Sequence, residues 1–124
     1  MRTKIFILAL IFLSLIWCKE AAEKRAQIVL DGDLQRTYTD YGSPQFEGYV
    51  KNIGTGTGYN CGVEITCYSD SGKTTIIDTA KGFPADLGDI PPNTRAYFTA
   101  VAFECNSHDE IKAYDVKIDW LDRD

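Results

Sequence analysis

The 124-residue chain predicts an all-β fold, a two-sheet antiparallel sandwich of about seven short strands preceded by an N-terminal signal helix. Three observations point there. Beyond residue 18, Leu is sparse while Thr, Tyr, Val, Ile and Gly are frequent, a composition that suits strands. Several stretches alternate apolar and polar residues with period two. Short clusters of Gly, Pro, Asp, Asn and Ser separate them at the spacing of turns between sandwich strands.

The opening MRTKIFILALIFLSLIWC has the layout of an export signal: Arg2 and Lys4, then an apolar run from Ile5 to Trp17 broken only by Ser14. A membrane-spanning helix needs about 20 apolar residues, and Lys19, Glu20, Glu23, Lys24 and Arg25 end this run too early. Leu15, Ile16 and Cys18 resemble the lipobox of a bacterial lipoprotein precursor, with Trp17 standing where a small residue is usual. The resemblance implies a lipid on Cys18, which becomes the new N-terminus and anchors the chain to a membrane after export to the periplasm or cell surface. Residues 1–18 are thus the signal, 19–26 (KEAAEKRA) a charged spacer, and 27–124 one domain. Eight extended residues reach about 28 Å at most.

The first candidate strands are Gln27 to Leu30 and Leu34 to Tyr38, split by the turn residues Asp31, Gly32 and Asp33. From Phe46 the alternation is cleaner. Phe46, Gly48 and Val50 share one face and Glu47, Tyr49 and Lys51 the other, until NIGTGTG ends the strand. Tyr59, Cys61, Val63, Ile65 and Cys67 then alternate with Asn60, Gly62, Glu64, Thr66 and Tyr68 to predict the clearest half-buried strand. After the turn SDSG come Thr74 to Thr79, a loop GFPADLGDIPPN whose Pro and Gly oppose pairing, and a strand from Thr94 to Glu104. A last strand alternates Tyr114, Val116, Ile118 and Trp120 with Asp115, Lys117 and Asp119.

The formal net charge is −5, and the signal holds two bases and no acid, so the exported part is more acidic still. Its Lys and Arg residues are scattered, which argues against nucleic acid as a partner. Nothing in the chain calls for a cofactor, a metal or a catalytic residue. His108, the single histidine, lies in a turn three residues after Cys105, a spacing unsuited to a nucleophile and its base. One His and dispersed Cys lack the paired spacings of zinc sites. GTGTG lacks the Lys and helix of a phosphate loop. Asp70, Ser71 and Gly72 read as a β-turn and lack the remaining ligands of a calcium loop.

With Cys18 lipidated, Cys61, Cys67 and Cys105 remain. Strands starting at Tyr59 and Thr94 that run down opposite sheets bring Cys67 and Cys105 to one end and leave Cys61 at the other. A Cys67–Cys105 disulfide is the expected pair, closing a loop of about 39 residues and contributing about 3–4 kcal/mol. Three reduced, buried thiols are the alternative. With Phe98 inward, strict alternation sends Cys105 outward, so the bridge requires a bulge near Ala100 or a change of direction at the strand end. Val101 and Phe103 share that outward phase. They mark either the same irregularity or a contact surface.

The run GYVKNIGTGTGYNCGVEITCYSDSGK resembles the centre of FxLYD and CARDB-like domains, small immunoglobulin-like sandwiches of bacterial exported proteins. Val50, Asn52 and Gly54 match its first strand end, Val63, Ile65, Tyr68, Asp70 and Gly72 the next strand and turn, and LGDIPPNTRAYF the Pro-containing turn before an inward Phe98. Cys67 and Asn93 depart from that pattern. The resemblance implies an immunoglobulin-like fold outside the cytoplasm and no common catalytic residue. The functional expectation is a membrane-tethered module with a structural or protein-interaction role and an envelope protein as partner. The alternative is a ligand-binding module, for glycan among other ligands, using the solvent-facing Tyr49, Tyr68 and Tyr97.

Overall fold

The computed structural model describes residues 24–84 and 88–123. The signal helix, Cys18 and residues 19–23 of the spacer lie outside the described residues. Seven strands form near the expected positions: β1 (Ile28–Leu30), β2 (Gln35–Tyr38), β3 (Pro44–Asn52), β4 (Tyr59–Tyr68), β5 (Ile76–Gly82), β6 (Arg95–Val101) and β7 (Ala113–Leu121); β5 starts and ends later than the expected Thr74 to Thr79, and β6 stops short of Glu104. Among the described residues one 3-10 turn, His108–Glu110, precedes β7.

Every pairing is antiparallel, in the order β1-β3-β6-β5-β4-β7 with β2 also on β3. The expectation of two separate sheets is refined to one curled, nearly barrel-shaped sheet. Its halves, β1/β2-β3-β6 and β5-β4-β7, join through the single residue pair Lys81↔Val101. Gly82 permits the join, because a Cβ there would lie 2.5 Å from the Thr99 carbonyl oxygen. At the opposite side the outer strands approach, and the Ala26 amide before β1 donates to Asp122 Oδ1 after β7 at 2.9 Å.

The core follows from the period-two pattern. Phe46 and Val50 of β3, Cys61, Val63, Ile65 and Cys67 of β4, and Ala96, Phe98 and Ala100 of β6 are all buried. Large faces small across β3 and β6: Phe46 pairs with Ala100, Gly48 with Phe98, and Val50 with Ala96. This alternation fills the interior without overpacking. On β7 the inward residues Tyr114, Val116, Ile118 and Trp120 pack against the core but stay half-buried, since β7 is a sheet edge.

The registers define two ends. Residues 24–28, the β3–β4 connection and the chain after β7 share one end. The β2–β3 turn, the β4–β5 turn and residues 102–112 share the other. At the first end Asn52, which is 0% exposed, satisfies every group of its side chain. Its Oδ1 accepts from the amides of Gln27 (3.1 Å) and Gly54 (2.9 Å), and its Nδ2 donates to the carbonyls of Gly56 and Ile90 (both 2.8 Å). The N-terminal segment is fixed by the same loop. The Arg25 carbonyl accepts from the amides of Thr55 (2.8 Å) and Gly56 (3.0 Å), and a Cβ on Gly54 would lie 2.3 Å from that carbonyl oxygen. Arg25 and Ala26, expected in the spacer, therefore belong to the folded domain.

Candidate functional site

Of the three tyrosines expected to face ligand, the structure brings two together. Tyr49 and Tyr97 are directly opposite on β3 and β6, with ring centroids 5.4 Å apart and planes tilted by 59°. The Arg95 guanidinium lies 3.6 Å from the Tyr49 ring centroid, and its Nε is 2.7 Å from Asp31 Oδ2. That ring face is covered by a cation which is itself held in place. Partial desolvation first, then the hydrogen bond from the Tyr97 hydroxyl to Glu47, raises the phenol's pKa. Tyr68 is remote, on β4 in the other half of the sheet. Its hydroxyl donates to Asp115 Oδ2 at 3.1 Å, and Lys73 pairs with the same carboxylate. The hydrogen bond from Lys73 holds the Asp115 carboxyl below its usual range.

The strand end expected to run on to Glu104 stops at Val101. The β3–β6 register is unbroken from Gln45↔Val101 to Lys51↔Arg95, so there is no bulge near Ala100. The change of direction comes instead after Ala102, whose amide donates to the Pro44 carbonyl, and Cys105 turns back to donate to the Ala102 carbonyl at 3.3 Å. Cys105 thus reaches the interior, Val101 is half-buried, and Phe103 is left 80% exposed.

The expected Cys67–Cys105 disulfide is absent: Cys61, Cys67 and Cys105 are free and buried. The Cys67 thiol is directed to its own strand, with Sγ 3.8 Å from the Ile65 carbonyl oxygen. Burial first, then Asp119, pushes the Cys61 thiol to about 11, and burial first, then the neighbouring Cys105 and Asp78, pushes Cys67 to about 11. Cys105 is raised by burial and then by Asp78, Glu110 and Glu104. Protonated, buried thiols are poor nucleophiles.

His108 is used structurally. Its Nε2 lies 2.7 Å from the Thr37 carbonyl oxygen and 3.1 Å from that of Gln45, so that nitrogen carries the proton and donates to both strands. Its Nδ1 is buried without a partner. The rings of Tyr38 and Phe46 meet the imidazole edge-on, at centroid distances of 5.0 and 5.4 Å. Among the described residues no three His, Cys, Asp or Glu side chains converge as metal ligands. The Asp70 carboxylate accepts from the amides of Thr74 and Thr75 and from the Thr74 hydroxyl, which lower its pKa and occupy it within its own turn.

Sequence reasoning missed a groove of about 680 Å³ at the end away from the N-terminal segment. Tyr38, Tyr41, Val101 and Phe103 supply its apolar lining, and Asp40, Gln45 and Glu47 are among its polar groups. Tyr41 is 98% exposed and Tyr38 is 52% exposed. Tyr38 is the fixed wall: its hydroxyl accepts from the His108 amide at 3.1 Å and lies 3.3 Å from Ser107 Oγ. The available signal was a tyrosine in the turn TDYGS, where neither packing nor turn geometry needs a ring. Among the described residues, no helix is long and apolar enough to cross a membrane. Comparison with family models, curated proteins and solved structures finds no match.

Proposed function

We propose that the chain is a membrane-tethered, extracytoplasmic module that works by binding a partner protein and performs no catalysis. The observation that carries this is the separation of its ends. The chain enters from the direction of Cys18 at one end, fastened through Arg25, Ala26 and Gln27. The most exposed rings, Tyr41 and Phe103, stand at the other. An anchor at one end and a free aromatic surface at the other suit a domain that presents itself to something beyond the membrane. An immunoglobulin-like fold of the FxLYD and CARDB-like kind is part of this proposal. It is supported by the pairing of β3 with β6 and β4 with β7 across a one-pair join. The raised thiol pKa values and the structural use of His108 Nε2 support a non-catalytic role.

Mass spectrometry of the protein from its native envelope tests the anchor. A diacylglycerol adduct on an N-terminal Cys18 is expected, and an N-terminus elsewhere overturns it. Photo-crosslinking amino acids at positions 41 and 103 should capture one protein that probes at positions 64 and 119 do not; equal capture at all four overturns the interaction role.

The second reading, glycan binding on the tyrosines, is favoured by the Tyr49–Tyr97 contact alone. The Arg95 guanidinium opposes it, because a sugar would have to displace a cation paired to Asp31. Arg95→Ala should uncover the ring and create or strengthen oligosaccharide binding if this face is the site. No change in a calorimetric titration excludes it.

A further inference from the structure

The groove beside Tyr41 and Phe103 has a chemistry that specifies its occupant. Three aromatic rings and two carboxylates, those of Asp40 and Glu47, line it, and no Lys or Arg is among its described lining residues. Arg36, two residues before Tyr38, is directed elsewhere. Its guanidinium lies 5.8 Å from the Phe46 ring centroid and 5.3 Å from that of Tyr114, and its Nη1 donates to the Ile111 carbonyl at 3.2 Å. Lys73, at the same end, is paired with Asp115. Glu47 accepts from neutral donors, the Tyr97 hydroxyl and Gln45 Nε2 at 2.9 Å, and so keeps its charge without a cation beside it. Electron-rich ring faces and carboxylates with no Lys or Arg in the lining attract a cation, and a flexible cationic side chain fits between two exposed rings. Tyr38 and the 3-10 turn behind it give the groove a rigid back wall, held by His108 and Ser107.

We propose that this groove binds a basic segment of a partner protein, taking a Lys or Arg side chain between Tyr41 and Phe103 with Asp40 and Glu47 as counter-charges. This rests on the partner-binding function above and adds the chemistry of the partner. The membrane itself is a poor occupant, because the groove is at the end opposite the segment leading to Cys18.

The test uses the mature full-length protein in a non-ionic detergent and fluorescein-labelled hexalysine and hexaarginine as probes, with binding read by anisotropy at low salt. The double variant Tyr41→Ala/Phe103→Ala should weaken binding about tenfold, and Asp40→Asn about threefold. Glu64→Gln/Asp119→Asn removes the same kind of charge from the outer face of β4 and β7 and should change it less than about twofold. Thermal melts confirm that all variants fold, as the substituted side chains of the groove are exposed. Equal weakening by the control pair means diffuse attraction to an acidic chain and overturns the proposal, as does binding indifferent to the two rings or absent altogether. Ring-dependent binding of a neutral oligosaccharide, with none of the basic peptides, also overturns it and assigns the groove to sugar. A Cys18 lipid adduct and a crosslinked partner, found together with failure of the peptides, would reject the basic segment and leave the tethered module standing.

Discussion

Replacing Asn52 by Ala should cost this small domain a large share of its stability. The structure gives the size of the effect. Four groups lose a partner: the amides of Gln27 and Gly54 and the carbonyls of Gly56 and Ile90. Ile90 is partly spared, because its carbonyl also accepts from the Gly58 amide at 3.0 Å. Three groups are therefore left short, at about 1–3 kcal/mol each when buried. Three of the four bonds are only partly buried and water can reach their vicinity, so the lower end applies, about 3–4 kcal/mol in total. Domains of this size are stable by about 5–15 kcal/mol, and each kcal/mol moves the melting temperature by about 4–8 °C. Urea denaturation followed by circular dichroism measures the difference directly. Asn52→Asp is the informative companion. It keeps the acceptor for Gln27 and Gly54 but turns a carboxylate toward two carbonyl oxygens, so it should be at least as damaging at pH 7 and partly recover where the introduced carboxyl is protonated. A loss below about 1 kcal/mol for Asn52→Ala, or a fully stable Asn52→Leu, would refute the view that this amide organises the end of the domain.

Three further outcomes follow from the same geometry. Cys61 and Cys67 are ordinary thiols at 9.0 when unfolded and about 11 when folded. The folded state therefore holds their protons more tightly, and the associated stability is complete below pH 9 and lost as pH rises from 9 to 11. The loss is at most about 2–3 kcal/mol per thiol, measured as a falling urea midpoint across that window in the presence of a reductant. Gly54→Ala should force residues 24–27 off the β3–β4 loop, seen as faster amide exchange at Thr55 and Gly56 with the β4–β7 pairing unaffected. His108→Ala leaves the Thr37 and Gln45 carbonyls without the imidazole and should lower stability by about 1–3 kcal/mol, with exchange accelerating first in residues 102–112.

β4 was the most legible element, because from Cys61 to Cys67 one face is core and the other is half-exposed. Its alternation from Cys61 to Cys67 maps onto burial residue by residue. β3 and β6 were nearly as clear, down to the inward Phe98 and outward Tyr97. The end of β6 was not. Phe98, Ala100 and Ala102 continue an inward phase that a reader naturally extends to Glu104, while the backbone has already turned beyond Val101. Gly82 looked like the start of a loop and is instead the last residue of β5, where its missing side chain admits the neighbouring strand. The domain start was misplaced because Arg25 is held by backbone groups, which leave no pattern in side-chain type. The groove escaped notice for a related reason. Its walls come from a turn near Tyr41 and another near Phe103, brought together only by the pairing of β3 with β6. Asn93, in the turn before β6, shows the reverse case: it adopts φ 61°, a left-handed conformation that Asn tolerates better than most residues, so its residue type was a readable turn signal.

The placement of the N-terminal segment and the aromatic groove at opposite ends has a mechanical consequence. Tension applied between them acts along the strand axes. β1 lies antiparallel to β3, paired through Ile28↔Asn52, Val29↔Lys51 and Leu30↔Val50. A pull on its leading end slides it lengthwise past β3 and loads those bonds together, in shear. Peeling, which breaks bonds one at a time, would require a sideways force that this placement does not supply.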